Sequence, residues 1–296
     1  MDLIRKTAQE LFEKAPFDAL AVGVIDFSGK AFTHFELSKV PGENFYFDLA
    51  SVTKVLTNSL SYFLGPEAFD EKMLLCLSHR GGLPAWGLLP KHGWEEIISS
   101  YQVKKSPTLY SDYSALRVLV ELSRKGVDQR QLCRSVWDRE VCHWTELPDP
   151  APLLQFGFVD GEPNFGKVHD PNARVIEKFC SHAGLFGTIE GVCRTLLNYQ
   201  ERTQFVGKVK EDLKQHSERF SYGWDRVVNP SETLAGPGCG PLTFGHLGFT
   251  GTSVWIDPEQ MKGHVILSNA TRDYWFSKNE LNEIRRKVGS LIWQKI

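Results

Sequence analysis

The chain has 296 residues, 42% of them hydrophobic and 24% charged, with a formal net charge of −2. That length supports a substantial core, in one large domain or two closely joined lobes. The near-neutral charge gives no electrostatic case for nucleic acid or an anionic membrane, and no apolar run reaches the ~18 residues of a membrane-spanning helix.

The opening stretch MDLIRKTAQELFEKAPFDAL has mixed charges and no continuous apolar segment. It predicts an amphipathic helix rather than a signal peptide, so the expected compartment is the cytoplasm, or the periplasm if a leader has been removed. ALAVGVIDFSGKAFTHFEL then reads as two strands around Ser28-Gly29. Cys76, Cys133, Cys142, Cys180, Cys193 and Cys239 form no C-x-x-C pair, a cytoplasmic setting disfavours disulfides, and they are read as small core or surface residues.

YFDLASVTKVLTNSLSYFLGP follows, residues 46–66. Val52, Val55, Leu56, Leu60 and Phe63 recur with helical spacing, and Gly65-Pro66 supplies a stop, which predicts a helix over 52–64. Ser51, Lys54 and Asn58 fall three and four apart and share another face. The segment is too apolar for a surface helix, so Lys54 is expected to be buried and to need a partner. The Ser51 hydroxyl is one candidate. Serine becomes a nucleophile when a base takes its proton, and backbone N–H groups at a helix start favour developing negative charge. If Asp48 capped this helix it would compete for the Ser51 N–H, so the helix is expected to begin a residue or two later.

Further helices are predicted at 93–101, 113–125, 128–136, 188–201 and 207–215. Tyr110-Ser111-Asp112 lies in the turn before the second of these. A Tyr hydroxyl beside a lysine ammonium can titrate low enough to relay protons; the other reading is that Asp112 caps the helix while Tyr110 packs in the core, and both can hold together. His169-Asp170 and His182 could line a pocket or brace a loop, and their spacing matches no standard metal site. SHAGLFGT is expected to form the wall behind the nucleophile, with His79 and Trp86 at the rim or, for Trp86, equally in the core. His246-Leu247-Gly248 falls at the start of a predicted strand, where glycine allows a substrate close to the backbone. GTSVWIDPEQMKGHVILSNA gives a second hairpin, and Lys278 to Ile296 an amphipathic helix. Strands at both ends with helices between predict an α+β fold: one antiparallel sheet built from both termini, with a mainly helical lobe inserted. The expected division is an α/β lobe of roughly 1–50 and 218–296 and a helical lobe of roughly 51–217, with the site in the cleft between them.

Taken together, S-x-x-K at 51–54, Y-S-D at 110–112 and H-x-G at 246–248 resemble the serine β-lactamase and penicillin-binding superfamily, nearest its class C-like branch of esterases and D-amino-acid peptidases. LSHRGGLPAW and VHDPNARVIEKFCSHAGLFGTIEGVCRTL are also similar to segments of that family. The resemblance implies that Ser51 is acylated, that Lys54 helps activate it, and that Tyr110 is the base for acylation. It further implies that Asp112 bonds the lysine and the substrate, that His246 faces the site from a strand, and that the N–H groups of Ser51 and Phe249, beside Gly248, form an oxyanion hole. Leu247 stands where many members have Thr or Ser, which weakens the case for a β-lactam or D-Ala carboxylate unless Thr250 or Thr252 compensates. A histidinium at His246 could partly replace the usual lysine. Only Glu162-Pro163-Asn164 approaches a class A deacylating motif, so that mechanism is discounted. The interval from Ser51 to Tyr110 is short for class C, which implies a trimmed helical lobe and a more open cleft. The expected function is hydrolysis of a small ester, amide or cell-wall-like peptide through an acyl-enzyme, with no cofactor, metal, nucleic acid or membrane partner. The alternatives are a β-lactamase or D,D-carboxypeptidase, and an inactive ligand-binding protein on the same fold.

Overall fold

A computed structural model of the protein describes residues 1–273 and 278–294. Its strands are β1 (Ala19–Asp26), β2 (Ala31–Ser38), β3 (Phe47–Asp48), β4 (Val141–His143), β5 (Gln155–Val159), β6 (Glu162–Phe165), β7 (Leu185–Gly187), β8 (Phe220–Ser221), β9 (Trp224–Arg226), β10 (Phe244–Leu247), β11 (Ser253–Asp257) and β12 (Lys262–Ser268). Its α-helices are α1 (Asp2–Phe12), α2 (Leu60–Leu64), α3 (Glu71–Leu77), α4 (Trp94–Ser100), α5 (Asp112–Arg124), α6 (Gln129–Arg134), α7 (Pro171–Ile176), α8 (Ile189–Thr203), α9 (Phe205–Gln215) and α10 (Asn279–Trp293).

Seven strands pair antiparallel in the order β2-β1-β12-β11-β10-β9-β8, so both ends of the chain build one sheet. Period-two alternation explains how that sheet serves two cores. Leu20 and Val22 of β1 face α1 and α10, where Ile4, Phe12, Ile284, Val288 and Ile292 pack. Ala19, Ala21 and Ile25 face the other way, into a larger core with Phe47, Leu56, Phe186 and Trp224. Small residues on that face let α8 come close: a Cβ on Gly23 would lie 2.4 Å from Cys193 Sγ. Tyr199, Phe205 and Trp224 stack at centroid distances of 4.1 and 5.4 Å and fasten α8, α9 and β9 together.

Both predicted hairpins and the amphipathic helices at the two ends form, although residues 295 and 296 of the predicted last helix lie outside the described residues. The segment 52–64 departs from expectation. It is a 3-10 turn at Ala50–Val52, a π-turn at Val55–Ser59, and only then the α-helix α2. The Thr57 hydroxyl donates to Thr53 O at 2.7 Å and Ser181 O at 2.8 Å, anchoring the widened turn to a neighbouring segment. Local widening of this kind is frequent at functional sites. His246-Leu247-Gly248 is also placed differently: it closes the separate strand β10 rather than opening β11. The short sheets β3-β7-β4 and β5-β6 were not predicted, because strands of two to five residues carry too few alternations to read. Among the described residues no helix is long and apolar enough to cross a membrane.

Candidate active site

The turn that carries Ser51 is held from behind by the SHAGLFGT segment. Strand β7 pairs with β3, matching Asp48 to Phe186 and Phe47 to Gly187. Leu49 N–H donates to Leu185 O at 2.9 Å, and Leu185 N–H to Thr53 Oγ1 at 3.2 Å. Asp48 does not take the Ser51 N–H: its Oδ1 accepts the Ala50 N–H at 2.8 Å and its Oδ2 the His169 N–H at 2.7 Å. Ala50 takes φ +45°, and the helical turn begins there, placing Ser51 at the start of the first turn.

Lys54 is only 4% exposed. Its Nζ donates to Ser51 Oγ at 3.0 Å and to His182 O at 2.9 Å, and lies 2.7 Å from Asp112 Oδ1. Burial alone would lower its pKa, but the Asp112 carboxylate and the Tyr110 phenol outweigh that and raise it. Lys54 is therefore an ammonium at rest. The Tyr110 side chain lies beside this pair, its ring centroid 5.1 Å from Lys54 Nζ. Its own pKa is raised, by burial first, with Lys54 pulling the other way. A freely ionised phenolate is thus not the resting state, and the expectation of a low-titrating tyrosine is corrected on that ground. Three groups 59 positions apart at the extremes nonetheless converge in one crevice.

Tyr110 and Asp112 are placed by the turn before α5. The cap of that helix is Ser111, not Asp112: Ser111 Oγ accepts the Ser114 N–H at 2.8 Å and donates to Pro84 O at 2.6 Å. This leaves the Asp112 carboxylate free for Lys54. His79 is not at the rim, as expected from sequence, but buried behind Tyr110 with ring centroids 4.7 Å apart. Its Nδ1 accepts the Ser111 N–H at 3.1 Å, so it braces the tyrosine turn. Trp86 is 49% exposed, consistent with a rim position.

Strand β10 and the loop that follows it bring three corrections. His246 is buried, its Nδ1 2.9 Å from Leu247 O and its ring centroid 5.8 Å from that of Tyr110. Burial and then the Lys54 charge push its pKa down to about 3, so it is neutral and supplies no histidinium. Thr250 and Thr252 cannot replace the missing hydroxyl at Leu247. Both are buried and committed, Thr250 Oγ1 donating to Asp48 O at 2.6 Å and Thr252 Oγ1 to Leu49 O at 3.0 Å. Gly248 serves packing of protein on protein: a Cβ there would lie 1.9 Å from Thr252 Oγ1 and 2.7 Å from Leu49 O. The next residue, Phe249, is 43% exposed, and its ring centroid lies 5.3 Å from that of His169.

The residues of VHD and SHAG divide into two roles. His169 turns its partly exposed ring toward Phe249, and its pKa falls to about 4, through burial first and then the Arg174 charge. Asp170 is a brace: its Oδ1 accepts the Ala173 N–H at 2.8 Å at the start of α7 and lies 2.9 Å from His182 Nε2. Burial opposes ionisation of both partners, but the pair wins; His182 rises to about 10 and Asp170 falls to about 2. Donor atoms of Asp112, Asp170 and His182 all lie within 4.8 Å of one another. The charges of Lys54 and His182 already neutralise the two carboxylates, which leaves that cluster poorly suited to a dication. The chain's only approach to a class A motif is remote in character: Glu162 is exposed on β6, and Asn164 Nδ2 donates to Phe156 O at 3.2 Å and Lys167 O at 2.9 Å.

Two cations escaped sequence reading because each lies far along the chain in an amphipathic pattern. Lys278 donates to Phe249 O and places Nζ 4.2 Å from the Phe249 ring centroid. Burial, then the Arg285 charge, lowers its pKa to about 8. Arg285 of α10 is buried, with Nη2 donating to Thr252 O at 2.7 Å, so the last helix holds the loop after β10.

Comparison with known proteins agrees with this geometry. A family model described as Beta-lactamase matches residues 77–286. An Escherichia coli O157:H7 protein whose name describes a D-alanyl-D-alanine carboxypeptidase is 32% identical over 128 residues, covering 40% of this chain and 30% of that protein. A Bacillus subtilis protein named N-acetylmuramyl-L-alanine amidase is 30% identical over 128 residues, covering 40% of this chain and 29% of its own. The match thus spans about 30% of the length of these relatives. The fold is similar to that of a β-lactamase/D-alanine carboxypeptidase from Pseudomonas syringae, with TM-score 0.66, 12% identity, and 98% of each chain covered. A β-lactamase from Mycobacterium bovis gives TM-score 0.56 at 15% identity, covering 96% of this chain and 97% of that one.

Proposed function

Because the chain belongs to the beta-lactamase family, we propose that it is a serine hydrolase that cleaves an ester or amide through an acyl-enzyme on Ser51. One observation carries this reading: the Lys54 ammonium donates to Ser51 Oγ at 3.0 Å, and the Tyr110 side chain lies beside them in the same crevice, its ring centroid 5.1 Å from Lys54 Nζ. The site lies between an α/β lobe of roughly 1–50 and 218–296 and a mainly helical lobe of roughly 51–217.

The protonation states set the roles. With Lys54 held as ammonium and Tyr110 as phenol, neither is a free base at rest. Tyr110 works as a relay. As Ser51 Oγ attacks the carbonyl carbon, its proton passes to the Tyr110 oxygen, and the phenolic proton passes to the leaving oxygen or nitrogen. Lys54 stabilises negative charge that builds on either oxygen during the transfer. The N–H groups of Ser51 and Phe249 receive the developing oxyanion. Water then attacks the acyl carbon, giving its proton to Tyr110 as Ser51 Oγ recovers its own.

Relatives named as a carboxypeptidase and an amidase support a cell-wall-like peptide or amide as substrate. The β-lactam and D-Ala-terminal versions are the weaker ones, since His246 is neutral and Thr250 and Thr252 are engaged elsewhere. Exposed Trp86, Leu109 and Phe249 suit an apolar acyl or aryl group instead. The test is intact mass spectrometry of wild type and Ser51→Ala after exposure to p-nitrophenyl esters, muropeptides, a fluorophosphonate and penicillin G. An adduct on wild type that is absent from Ser51→Ala is expected with an ester or the fluorophosphonate. No adduct and no turnover with any member of the panel would overturn the assignment.

A further inference from the structure

Asp48 is fully buried and reaches three separate stretches of chain. Its Oδ1 accepts the Ala50 N–H at 2.8 Å, its Oδ2 accepts the His169 N–H at 2.7 Å, and its main-chain oxygen accepts from Thr250 Oγ1 at 2.6 Å. Two of these bonds land one residue from a group the chemistry uses: Ala50 precedes Ser51, and Thr250 follows Phe249. The third fixes His169, whose ring faces Phe249 at 5.3 Å. Ala50 at φ +45° is in a conformation that an L-residue keeps only when its surroundings impose it. Alanine has no polar side chain to hold itself there, and the bond from its N–H to Asp48 is the local restraint. Two N–H donors converge on one side chain, and only a carboxylate offers an acceptor to each; an amide of the same size would turn an N–H toward one of them.

We infer that Asp48 is a positioning residue, whose carboxylate and main-chain oxygen set the spacing among the nucleophile turn, the His169 wall and the Phe249 loop. The inference rests on the proposed Ser51 chemistry and adds to it a control by protonation. Burial lifts the Asp48 pKa to about 7; the N–H bonds from His169 and Ala50 lower it, the Asp170 charge raises it, and the Arg174 charge lowers it. Protonation occupies one of the two acceptors and releases one N–H. Reactivity of Ser51 therefore falls as pH drops through about 7. Stability moves the opposite way. A carboxyl whose folded pKa lies above its ordinary 3.8 binds its proton more tightly in the fold, so stability falls as pH rises from there to about 7. A residue that only held the fold together would not give these opposite signs.

The experiment compares wild type with Asp48→Asn by amide hydrogen exchange at Ala50 and His169, thermal midpoint at pH 5.5 and 8.5, and the rate of fluorophosphonate labelling between pH 5 and 9. In Asp48→Asn, exchange at one or both amides is expected to speed at least ~10-fold, as an unmade buried bond implies. Labelling at pH 8.5 falls by a similar factor and loses its inflection near 7, while the decline in thermal midpoint from pH 5.5 to 8.5 becomes shallower than in wild type, leaving only the share that His182 contributes above pH 6.5. Exchange at both amides within twofold of wild type overturns the inference, as does a labelling rate and profile equal to wild type. If wild type is not labelled at all, the Ser51 reading fails, and the exchange data still decide the role of Asp48. If Asp48→Asn does not fold, wild type decides alone: protection at Ala50 and His169, corrected for intrinsic exchange, must drop between pH 8 and 6, and a flat profile overturns the inference.

Discussion

Asp112→Asn probes the charge logic of the site most directly. Lys54 Nζ lies 2.7 Å from Asp112 Oδ1, with the two side chains 4% and 17% exposed. At that separation the gross attraction is about 6 kcal/mol for an effective dielectric constant of ~20. Water reaches one side of Asp112, and the amide retains an acceptor toward the ammonium, so the expected net loss is about 2–3 kcal/mol. Converted at about 1.36 kcal/mol per unit, this takes ~2 units off the Lys54 pKa. The sign with pH follows from the raised value in the folded state. A raised amine contributes its full stabilisation below its ordinary 10.5 and loses it only as pH climbs through the folded pKa. The destabilisation by Asp112→Asn is therefore constant from pH 6 to 9. Urea unfolding of wild type, Lys54→Met, Asp112→Asn and the double variant reads the pair as a coupling energy, expected at about 2–3 kcal/mol. A coupling under ~0.5 kcal/mol, the scatter of independent sites, would refute the argument that Asp112 holds Lys54 as an ammonium.

Tyr110→Phe removes the relay but keeps the ring packed on His79 and Phe220, so the acylation rate should fall ~10²–10⁴-fold with little change in thermal midpoint; an unchanged rate excludes the phenol from proton transfer. Gly248→Ala places a methyl 1.9 Å from Thr252 Oγ1 and 2.7 Å from Leu49 O, so circular dichroism melts should show lost stability and Ser51 labelling should slow together. The Asp170–His182 pair gives a pH signature in thermal melts. The Asp170 contribution is complete above its ordinary 3.8 and lost as pH falls through about 2. The His182 contribution is complete below its ordinary 6.5 and lost as pH rises through about 10. Stability should decline from pH 6.5 toward 10, and His182→Gln should flatten that limb.

The sheet from two termini was legible because β1 and β12, of eight and seven residues, are long enough to read and are bounded by turn residues. The contact of Lys54 with Ser51 was legible because a lysine in an apolar helix requires a partner, and a serine three residues away shares its face. What failed was anything decided by a long-range donor or acceptor. The helix at Ser51 was read as regular, but Thr57 bonds Ser181 O, 124 positions away, and the turn widens. Asp112 was weighed as a cap, and Ser111 caps instead, because the Ser111 backbone is pinned by His79. His79 was placed at the rim from its neighbours in sequence; only the folded chain shows it behind Tyr110. His246 was allowed a positive charge, which burial beside Lys54 withdraws. Each error concerns which polar group a side chain meets, and sequence spacing beyond one or two helical turns does not encode that.

The same charge reading bears on substrate choice. Lys54 is paired with Asp112, and His182 with Asp170. His246 and His169 are neutral at pH 7, their pKa values pushed down to about 3 and about 4. The Lys278 ammonium donates to Phe249 O. Each of these cations is already engaged, and binding a substrate carboxylate would require breaking one of those bonds. A charge-assisted pair to a substrate is worth about 2 kcal/mol, or ~30-fold in kcat/KM. A peptide or thioester pair differing only in a terminal carboxylate against its amide should therefore be handled with rates within about threefold of each other. A preference of ~30-fold or more for the free acid would show that a cation in the crevice is available after all. The neutralised-site argument would then be wrong, and the carboxypeptidase version of the function would become the stronger one.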